Sequence, residues 1–81
     1  MTWIERDGKL VRTFKTPDFL TAYHLVSATV GPAEGLNHHP DVAFGWGYVT
    51  ITLITHDAGG ITDLDRRLAE AIDLAVKPFD L

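Results

Sequence analysis

The stretch YVTITLITH at residues 48–56 decides the fold class. Its apolar residues Val49, Ile51 and Leu53 recur at every second position, which is the period of a β-strand with one buried face. The alternate positions carry mainly threonine, and His56 stands at their far end. We therefore predict a strand over residues 48–56, with one face packed against helices and a more polar face opposite.

Turn signals around this strand predict two β-hairpins. Gly45-Trp46-Gly47 separates residues 41–44 from the strand, and Asp7-Gly8 separates residues 3–6 from residues 9–15. An Asp-Gly pair between two β-prone segments is among the strongest short-range hairpin signals. Because the strands of a hairpin run antiparallel, we predict a four-stranded antiparallel sheet.

A first helix is predicted between the two hairpins. Thr16 is a candidate N-cap, Pro17 fits the first helical position, and Asp18 suits the positive end of the helix dipole. Gly31-Pro32 is expected to kink or end the helix because proline lacks a backbone donor, and residues 33–40 show no regular period. The predicted apolar stripe of this helix consists of Phe19, Ala22, Tyr23, Val26 and Val30.

A second helix is predicted after a turn at residues 57–60. The segment TDLD at residues 62–65 has the form of a capping box, which marks a helix start, and Pro78 is expected to end the helix. The predicted apolar stripe consists of Leu64, Leu68, Ala71, Ile72 and Ala75. The element order predicts an α+β fold, with two helices packed on one face of the four-stranded antiparallel sheet, in a single domain over residues 1–81.

Composition narrows the possible functions. The chain has 81 residues, no cysteine and a net charge of -4, and it contains no basic run. These features exclude a disulfide framework, a thiolate zinc site and a cysteine nucleophile, and they argue against nucleic-acid binding. No apolar run approaches the roughly 20 residues that span a bilayer, and the first residues show no signal-peptide pattern. We therefore expect a soluble, cytoplasmic protein that does not bind membranes.

Three of the four histidines are candidates for proton transfer. His38 and His39 follow the irregular stretch and His56 ends the long strand, whereas His24 is expected to be a partly exposed helix residue. Neighbouring extended residues point to opposite sides, so His38 and His39 are expected to have different roles. An imidazole with its ordinary pKa near about 6.5 can act as an acid or a base near neutral pH.

The residues alone leave structural and metal-binding interpretations open. A histidine pair is often a surface feature, Asp65 is explained by the capping box, and Asp57 is explained by the turn. Glu34 can equally be a solvated side chain. Three histidines can also hold zinc with one open position, although His38 and His39 are adjacent here and no fourth ligand is evident.

Taken together, the motifs resemble those of the pterin-4a-carbinolamine dehydratase family. The segment AEGLNHHP at residues 33–40 is followed at a fixed distance by VTITLITHDAGGIT at residues 49–62. The helix start at residues 18–22, the preceding Trp3 and the later Asp65 fit the same family. The resemblance covers nearly the whole chain without a gap, and the paired motifs are far more specific than HHP alone.

The resemblance implies an enzyme that removes water from a pterin. Members of this family dehydrate 4a-hydroxytetrahydropterin, the 4a-carbinolamine, to the quinonoid dihydropterin. The reaction is part of the recycling of tetrahydrobiopterin, which aromatic amino acid hydroxylases oxidise. The implied class is therefore a hydro-lyase that needs no metal and no organic cofactor, with an aromatic amino acid hydroxylase as a possible partner in the same pathway.

The resemblance also implies roles for individual residues. The catalytic set of the family maps onto His38, His39 and His56, with His38 and His56 as the acid/base pair and His39 mainly as a substrate-binding group. The implied substrate-binding residues are Glu34, Pro40, Thr55, Asp57 and Ala58. Asp65 matches an acidic position that supports the site.

Several positions depart from the family pattern. Family members usually have a further helix before the tryptophan, whereas this chain starts just ahead of Trp3, so we expect an effect on stability and assembly. Gly31-Pro32 falls in a helix that is usually continuous and used in oligomer contacts. Val42, Trp46 and Asn37 replace residues that are more common there, which can alter the fit of the substrate.

The sequence also supports a prediction of the oligomeric state and an alternative function. A core of this size favours oligomerisation, and we expect a homodimer through sheet edges, with a tetramer as a further state. The alternative function is a non-catalytic module that binds a pterin or another protein, such as a coactivator-like dimerisation partner. The presence of all three histidines favours the dehydratase, because a scaffold has no need of the full set.

Overall fold

The computed structural model describes residues 3–81, so the first two residues of the predicted domain lie outside it. The strands are β1 (Ile4–Arg6), β2 (Lys9–Lys15), β3 (Asp41–Gly45) and β4 (Tyr48–Leu53). The helices are α1 (Phe19–Leu36) and α2 (Asp63–Val76), and short 3-10 turns cover His56–Ala58 and Lys77–Phe79. The predicted α+β class and the predicted element order are confirmed. Within residues 3–81, neither helix is long and apolar enough to cross a membrane.

The sheet confirms the face assignment predicted from the long strand. Its strand order is β1-β2-β4-β3, and each neighbouring pair is antiparallel. Ile51 of β4 stands opposite Arg12 on one side and Val42 on the other. Val49, Ile51 and Leu53 are all 0% exposed, so β4 lies at the centre of the buried face.

One hydrophobic core lies between this face of the sheet and the two helices. Its buried members are Leu10, Phe14, Ala22, Leu25, Ala33, Val49, Ile51, Leu53, Leu68, Ala69, Ile72 and Val76. The other face of the sheet carries polar side chains, including Thr13 and Thr50, whose hydroxyl oxygens lie 3.0 Å apart. The two helices therefore cover one face of the sheet only.

The Asp7-Gly8 turn has the geometry that a tight hairpin requires. Asp7 has φ 52° and Gly8 has φ 76°, so both residues lie in the left-handed region. Two-residue turns of this kind match the right-handed twist of the flanking strands. The predicted first hairpin is confirmed.

The predicted N-cap of α1 was wrong. Asp18, rather than Thr16, caps the helix: its Oδ1 accepts a hydrogen bond from the Thr21 backbone N–H at 2.7 Å. Thr16 instead donates its backbone N–H to the Gly47 carbonyl at 3.0 Å and its hydroxyl to the Trp46 carbonyl at 3.4 Å. Both residue types can cap a helix, and the pairing of Thr16 with the second hairpin leaves that role to Asp18.

Gly31-Pro32 was predicted to kink or end α1, and an end at that point is wrong, because the helix continues to Leu36. A side chain that precedes proline disfavours the helical conformation through its Cβ atom, and Gly31 has no such atom. Asn37 ends the helix in the left-handed conformation, with φ 50°, and donates its N–H to the carbonyls of Ala33 and Glu34. The stretch predicted to be irregular is therefore half helix, which places Glu34 on α1.

The buried stripe of α1 differs from the predicted one. Its buried positions are Ala22, Leu25, Thr29 and Ala33. Phe19, Tyr23 and Val30 were predicted to face the core, but each is more than half exposed. The side of α1 that faces the core thus carries Leu25 among smaller residues, while the aromatic side chains lie on the outer side.

The predicted start and end of α2 are confirmed. The Thr62 backbone N–H donates to Asp65 Oδ2 at 2.8 Å, as a capping box requires, and the helix ends at Val76, two residues before Pro78. The buried positions of α2 are Asp65, Leu68, Ala69, Ile72 and Val76. Two of the five predicted apolar positions are therefore fully buried, while Leu64, Ala71 and Ala75 are not.

Asp73 connects α2 to the sheet. Its Oδ1 accepts hydrogen bonds from the Trp3 indole, at 3.0 Å, and from the Arg12 guanidinium. Arg12 is 9% exposed and lies over the Phe14 ring, with its guanidinium carbon 4.2 Å from the ring centre. A buried cation needs such partners because its desolvation is costly. This contact ties the later part of α2 to β2.

A pair of glycine substitutions tests the helix boundary. Gly35 lies in α1, and a Cβ atom there meets no other atom within 4 Å, apart from the neighbouring residues and the helix backbone; Gly8 has the same free space but φ 76°. We expect Gly35→Ala to raise the free energy of unfolding by roughly 0.5–1 kcal/mol, and Gly8→Ala to lower it by about 1 kcal/mol. Urea denaturation measures both. A loss of stability in Gly35→Ala would contradict the continuous helix.

Candidate active site

The three candidate histidines line one open cavity of about 390 Å³. Its walls come from the end of α1, the segment after β4, and the first turn of α2. The lining residues are Asn37, His38, His39, Ile54, Thr55, His56, Asp57 and Leu64. His24 lies elsewhere on α1, with its ring centre 5.6 Å from that of Tyr23. The fold therefore brings His38, His39 and His56 to one cavity, and His24 does not line it.

His38 is held by a buried carboxylate. Its Nε2 lies 2.6 Å from Asp65 Oδ1, its side chain is 13% exposed, and the side chain of Asp65 is fully buried. The backbone of His38 is also fixed, because its N–H donates to the Ala33 carbonyl at 3.1 Å. The end of α1 and the first turn of α2 thus hold this imidazole from two sides.

Asp65 has a hydrogen-bond donor for each of its oxygens. Oδ1 faces His38, while Oδ2 accepts from the Thr55 hydroxyl at 2.7 Å and from the Thr62 backbone N–H at 2.8 Å. Burial raises the pKa of Asp65, but the hydrogen bonds from His38, Thr62 and Thr55 outweigh it and bring the pKa below the ordinary value. The carboxylate is therefore ionised at neutral pH and can only accept hydrogen bonds.

The ionised Asp65 determines the tautomer of His38. Because the carboxylate accepts, the Nε2 atom of His38 must carry the proton that lies between them. In the neutral imidazole, the second nitrogen, Nδ1, then has a free lone pair and can receive a proton. The pair has the arrangement of a carboxylate that orients a histidine base.

His39 faces a different partner. Its Nε2 lies 2.6 Å from Oε2 of Glu34 on α1, and both side chains are more than half exposed. The adjacent histidines thus contact carboxylates on different helices, one of them buried and one in solvent. An exposed pair of this kind stabilises the fold by little, so its oxygens and nitrogens stay available to a ligand.

His56 lies at the start of a 3-10 turn, because β4 ends at Leu53; the predicted strand to residue 56 was too long. Gly59 closes this turn with φ 72° and donates its N–H to the His56 carbonyl at 3.0 Å. Beyond Leu53 the chain no longer pairs with the neighbouring strands of the sheet, and Thr55 forms an isolated antiparallel bridge with Gly60. The turn holds the exposed His56 in the lining of the cavity.

The other candidate residues lie around two cavities. Thr55 and Asp57 line the cavity of the histidines, whereas Glu34 and Pro40 line an adjacent apolar cavity of about 260 Å³ between α1 and β3. His39 borders both cavities. Ala58 is exposed on the turn next to them. Among residues 3–81, no group of three or more His, Cys, Asp or Glu side chains is arranged to hold a metal ion, so the zinc alternative has no ligand set there.

Sequence reasoning missed the lining residues Ile54 and Leu64 and missed Thr62 as a partner of the site, and it named Asn37 only as a departure from the family pattern. The capping box was the signal for Thr62, because that motif already pairs the residue with Asp65. Asn37 had a signal as well, since asparagine readily adopts the left-handed conformation at a helix end.

Acid unfolding tests the buried carboxylate. The pKa of Asp65 is lower in the folded chain than its ordinary value of 3.8, so its ionised form stabilises the fold above about pH 4 and this contribution is lost as pH falls through the folded pKa. We expect Asp65→Asn to lower the free energy of unfolding at pH 6 by roughly 1–3 kcal/mol. Urea denaturation should show this difference shrinking below pH 4. A difference that is unchanged between pH 6 and pH 2 would contradict the assignment.

Comparison with known sequences identifies the family to which the chain is similar. The family model described as pterin 4 alpha carbinolamine dehydratase matches residues 1–75. A relative from Cyanothece sp. (strain PCC 7425) is 52% identical over 69 residues, which are 85% of this chain and 69% of the relative. A relative from Picosynechococcus sp. is 44% identical over 71 residues, 88% of this chain and 77% of its own. Both carry the name pterin-4-alpha-carbinolamine dehydratase, marked as provisional.

Two solved structures are similar to the chain. A transcriptional coactivator/pterin dehydratase from Brucella melitensis superposes with a TM-score of 0.81 at 33% identity, covering 90% of this chain and 80% of its own. A pterin dehydratase-like protein identified as a RuBisCO assembly factor in the alpha-carboxysome gives 0.72 at 23% identity, covering 93% and 89%, and shows the shared fold alone. With its histidine cavity, its fold and a family match that covers most of its length, this chain belongs to the pterin 4 alpha carbinolamine dehydratase family.

Proposed function

We propose that the protein is a 4a-hydroxytetrahydropterin dehydratase, a hydro-lyase that acts in the recycling of tetrahydrobiopterin. The observation that carries the proposal is the meeting of His38, His39 and His56 at one open cavity, with His38 oriented by the ionised Asp65. Family membership supplies the substrate class. A volume of about 390 Å³ suits a molecule with two fused rings, since small-molecule sites fall at about 300–1,000 Å³.

The reaction needs two proton transfers at neighbouring atoms. The bond between carbon 4a and the hydroxyl oxygen breaks, and the oxygen leaves as water after it receives a proton. Ring nitrogen 5 loses its proton, and its electron pair forms the double bond to carbon 4a. One acid and one base are therefore needed at the same site, and groups with a pKa near neutral serve both ends.

The geometry supports a division of these roles. Neutral His38 has its free lone pair at Nδ1 and is the proposed base for the proton on nitrogen 5, because Asp65 holds the Nε2 proton and stabilises the imidazolium that forms. His56 is exposed, exchanges protons with water, and is the proposed acid for the departing hydroxyl. His39 and Glu34 are the proposed binding groups for the polar edge of the pterin, with Pro40, Asp57 and Ala58 beside them.

A coupled assay tests this function. A phenylalanine hydroxylase generates the 4a-carbinolamine, and the appearance of quinonoid dihydropterin is followed with and without this protein. We expect a clear acceleration, with a pH profile that contains at least one ionisation between about pH 5 and 8. No acceleration by the folded protein at any pH in that range would overturn the proposal.

The alternative of a non-catalytic interaction module is supported by a separate observation. Phe19, Tyr23 and Val30 expose apolar surface on the outer side of α1, and large apolar patches mark contact surfaces. The similar structure from Brucella melitensis is described as a transcriptional coactivator/pterin dehydratase, which is consistent with such a module. A folded protein that binds a pterin without accelerating the reaction would favour the module. The homodimer, the tetramer and the cytoplasmic location stay predictions from the sequence.

A further inference from the structure

Thr55 is the residue at which the two halves of the site meet. Its backbone N–H donates to the Gly60 carbonyl at 3.0 Å, and its own carbonyl accepts from the backbone N–H of Ala58 at 3.1 Å and of Gly60 at 3.4 Å. These bonds close the turn that begins with His56. The backbone of Thr55 therefore fixes the position of His56.

The side chain of Thr55 reaches the other half of the site. Its hydroxyl oxygen lies 2.7 Å from Asp65 Oδ2 and 2.7 Å from the hydroxyl oxygen of Thr62. The Thr62 hydroxyl oxygen lies 3.5 Å from the same Asp65 oxygen, so Thr55 makes the shorter of the two hydroxyl contacts to the carboxylate. An ionised carboxylate only accepts, and a hydroxyl has a single hydrogen, so we assign Thr55 as the donor to Asp65 and Thr62 as the donor to Thr55. The donors run in one direction, from Thr62 through Thr55 to Asp65, whose other oxygen accepts from His38.

This arrangement leaves no free hydrogen on Thr55 for a substrate. The resemblance to the family implies that Thr55 binds the pterin, whereas the described contacts direct its hydroxyl to Asp65 and Thr62. The carboxylate it contacts is fully buried, so the loss of this donor cannot be replaced easily by water. The hydroxyl is thus placed to act on the histidines through Asp65.

We infer that Thr55 is a positioning residue that couples the His56 turn to the Asp65–His38 pair, and that its hydroxyl limits how strongly Asp65 attracts the proton of His38. The expected change in kcat and KM rests on the proposed dehydratase function. The expected change in the pKa of His38 does not, because it is a property of the protein without substrate. The two changes can therefore be measured separately.

The expected effect on His38 has a definite sign. Without the Thr55 donor, Asp65 interacts more strongly with the His38 imidazolium, so the pKa of His38 rises. The other titratable groups of this cavity are His39, which pairs with Glu34 of α1, and His56 and Asp57 of the turn. None of them forms the short contact that Asp65 makes with His38. The structure therefore fixes the direction of the expected change in the free protein, which is upward.

Four variants test this inference. Thr55→Val replaces the hydroxyl by a methyl group and keeps the shape of the side chain. Thr55→Ala removes the hydroxyl in a smaller side chain, and Thr55→Ser keeps the hydroxyl. Thr52→Val is the matched control, since Thr52 lies on β4 at a position that alternates with the buried Ile51 and Leu53. NMR titration of the histidine ring signals measures the pKa of His38 in the free protein, and the coupled assay measures kcat and KM.

We expect Thr55→Val and Thr55→Ala to raise the pKa of His38, to shift the acidic limb of kcat/KM upward by the same amount, and to lower kcat several-fold on that acidic limb with little change in KM. Thr55→Ser and Thr52→Val should resemble the wild type. If both hydroxyl-free variants leave the pKa of His38 unchanged, or if they raise KM alone, the inference is overturned. A shifted pKa in a protein without any dehydratase activity supports the coupling and overturns the proposed function only.

Discussion

Substitution of His38 by alanine is expected to lower kcat/KM for the carbinolamine by about 10²–10⁴-fold, the range for removal of a general base. His38 is the one histidine of the cavity that is held by a buried, ionised carboxylate, and its tautomer leaves Nδ1 ready to receive the proton. No neighbouring group takes over this geometry, since His39 pairs with Glu34 on another helix. The coupled assay over pH 5–8 measures the loss.

Two further variants separate the chemistry from the stability of the site. His38→Asn keeps a hydrogen-bond donor for Asp65 but has no titratable nitrogen, so it should be as inactive as His38→Ala while unfolding at a higher temperature. His24→Ala is the matched control, because His24 lies on α1 outside the cavity. Activity retained within a few-fold by His38→Asn would remove His38 from the reaction.

Substitution of Ile51 by alanine is expected to lower the free energy of unfolding by about 2–5 kcal/mol, the usual cost of such a truncation in a core. Ile51 is fully buried at the centre of β4, between Arg12 and Val42 of the neighbouring strands. Domains of ordinary stability unfold with about 5–15 kcal/mol, so the variant loses a large part of the total. Urea denaturation at neutral pH measures the change.

The neighbouring Thr52 supplies the control for this substitution. Because successive side chains of a strand point to opposite faces, Thr52→Ala removes a side chain from the more open face, and its cost should stay below about 1 kcal/mol. A larger loss for Thr52→Ala than for Ile51→Ala would mean that the strand presents its other face to the helices.

The parts of the fold that the sequence predicted are those with strong local patterns. The alternation at Val49, Ile51 and Leu53 determined which face of β4 is buried. The Asp7-Gly8 pair determined the first hairpin, and the capping box at residues 62–65 determined the start of α2. In each case the local preference of the backbone agrees with the packing of the whole domain.

The errors lie where two local preferences compete. Thr16 and Asp18 can both cap a helix, and the contact of Thr16 with the second hairpin, which is remote in sequence, decides between them. Proline normally ends a helix, but Gly31 has no Cβ atom to clash with the Pro32 ring, so the residue before the proline can stay helical. The N-cap of α1 therefore depends on a contact between residues that are distant in sequence, and local sequence patterns do not contain this information.

The site was predictable only in part, because some of its contacts join residues that are distant in sequence. Residue types and the family resemblance pointed to the three histidines and to Asp65. The bond between His38 and Asp65 joins residues 27 positions apart, and it needs the end of α1 to meet the first turn of α2. The continuation of α1 past Pro32, which the sequence did not predict, is what brings His38 there.

NMR of the histidine rings during addition of a dihydropterin, such as 7,8-dihydrobiopterin, tests the central claim most directly. The claim is that His38, His39 and His56 face one pterin-binding cavity, while His24 on α1 lies outside it. We predict saturable shifts of the first three ring signals with a single dissociation constant, and an unmoved signal from His24. Shifts confined to His24, or rings at 38 and 56 that stay unmoved at saturating pterin, would contradict the account.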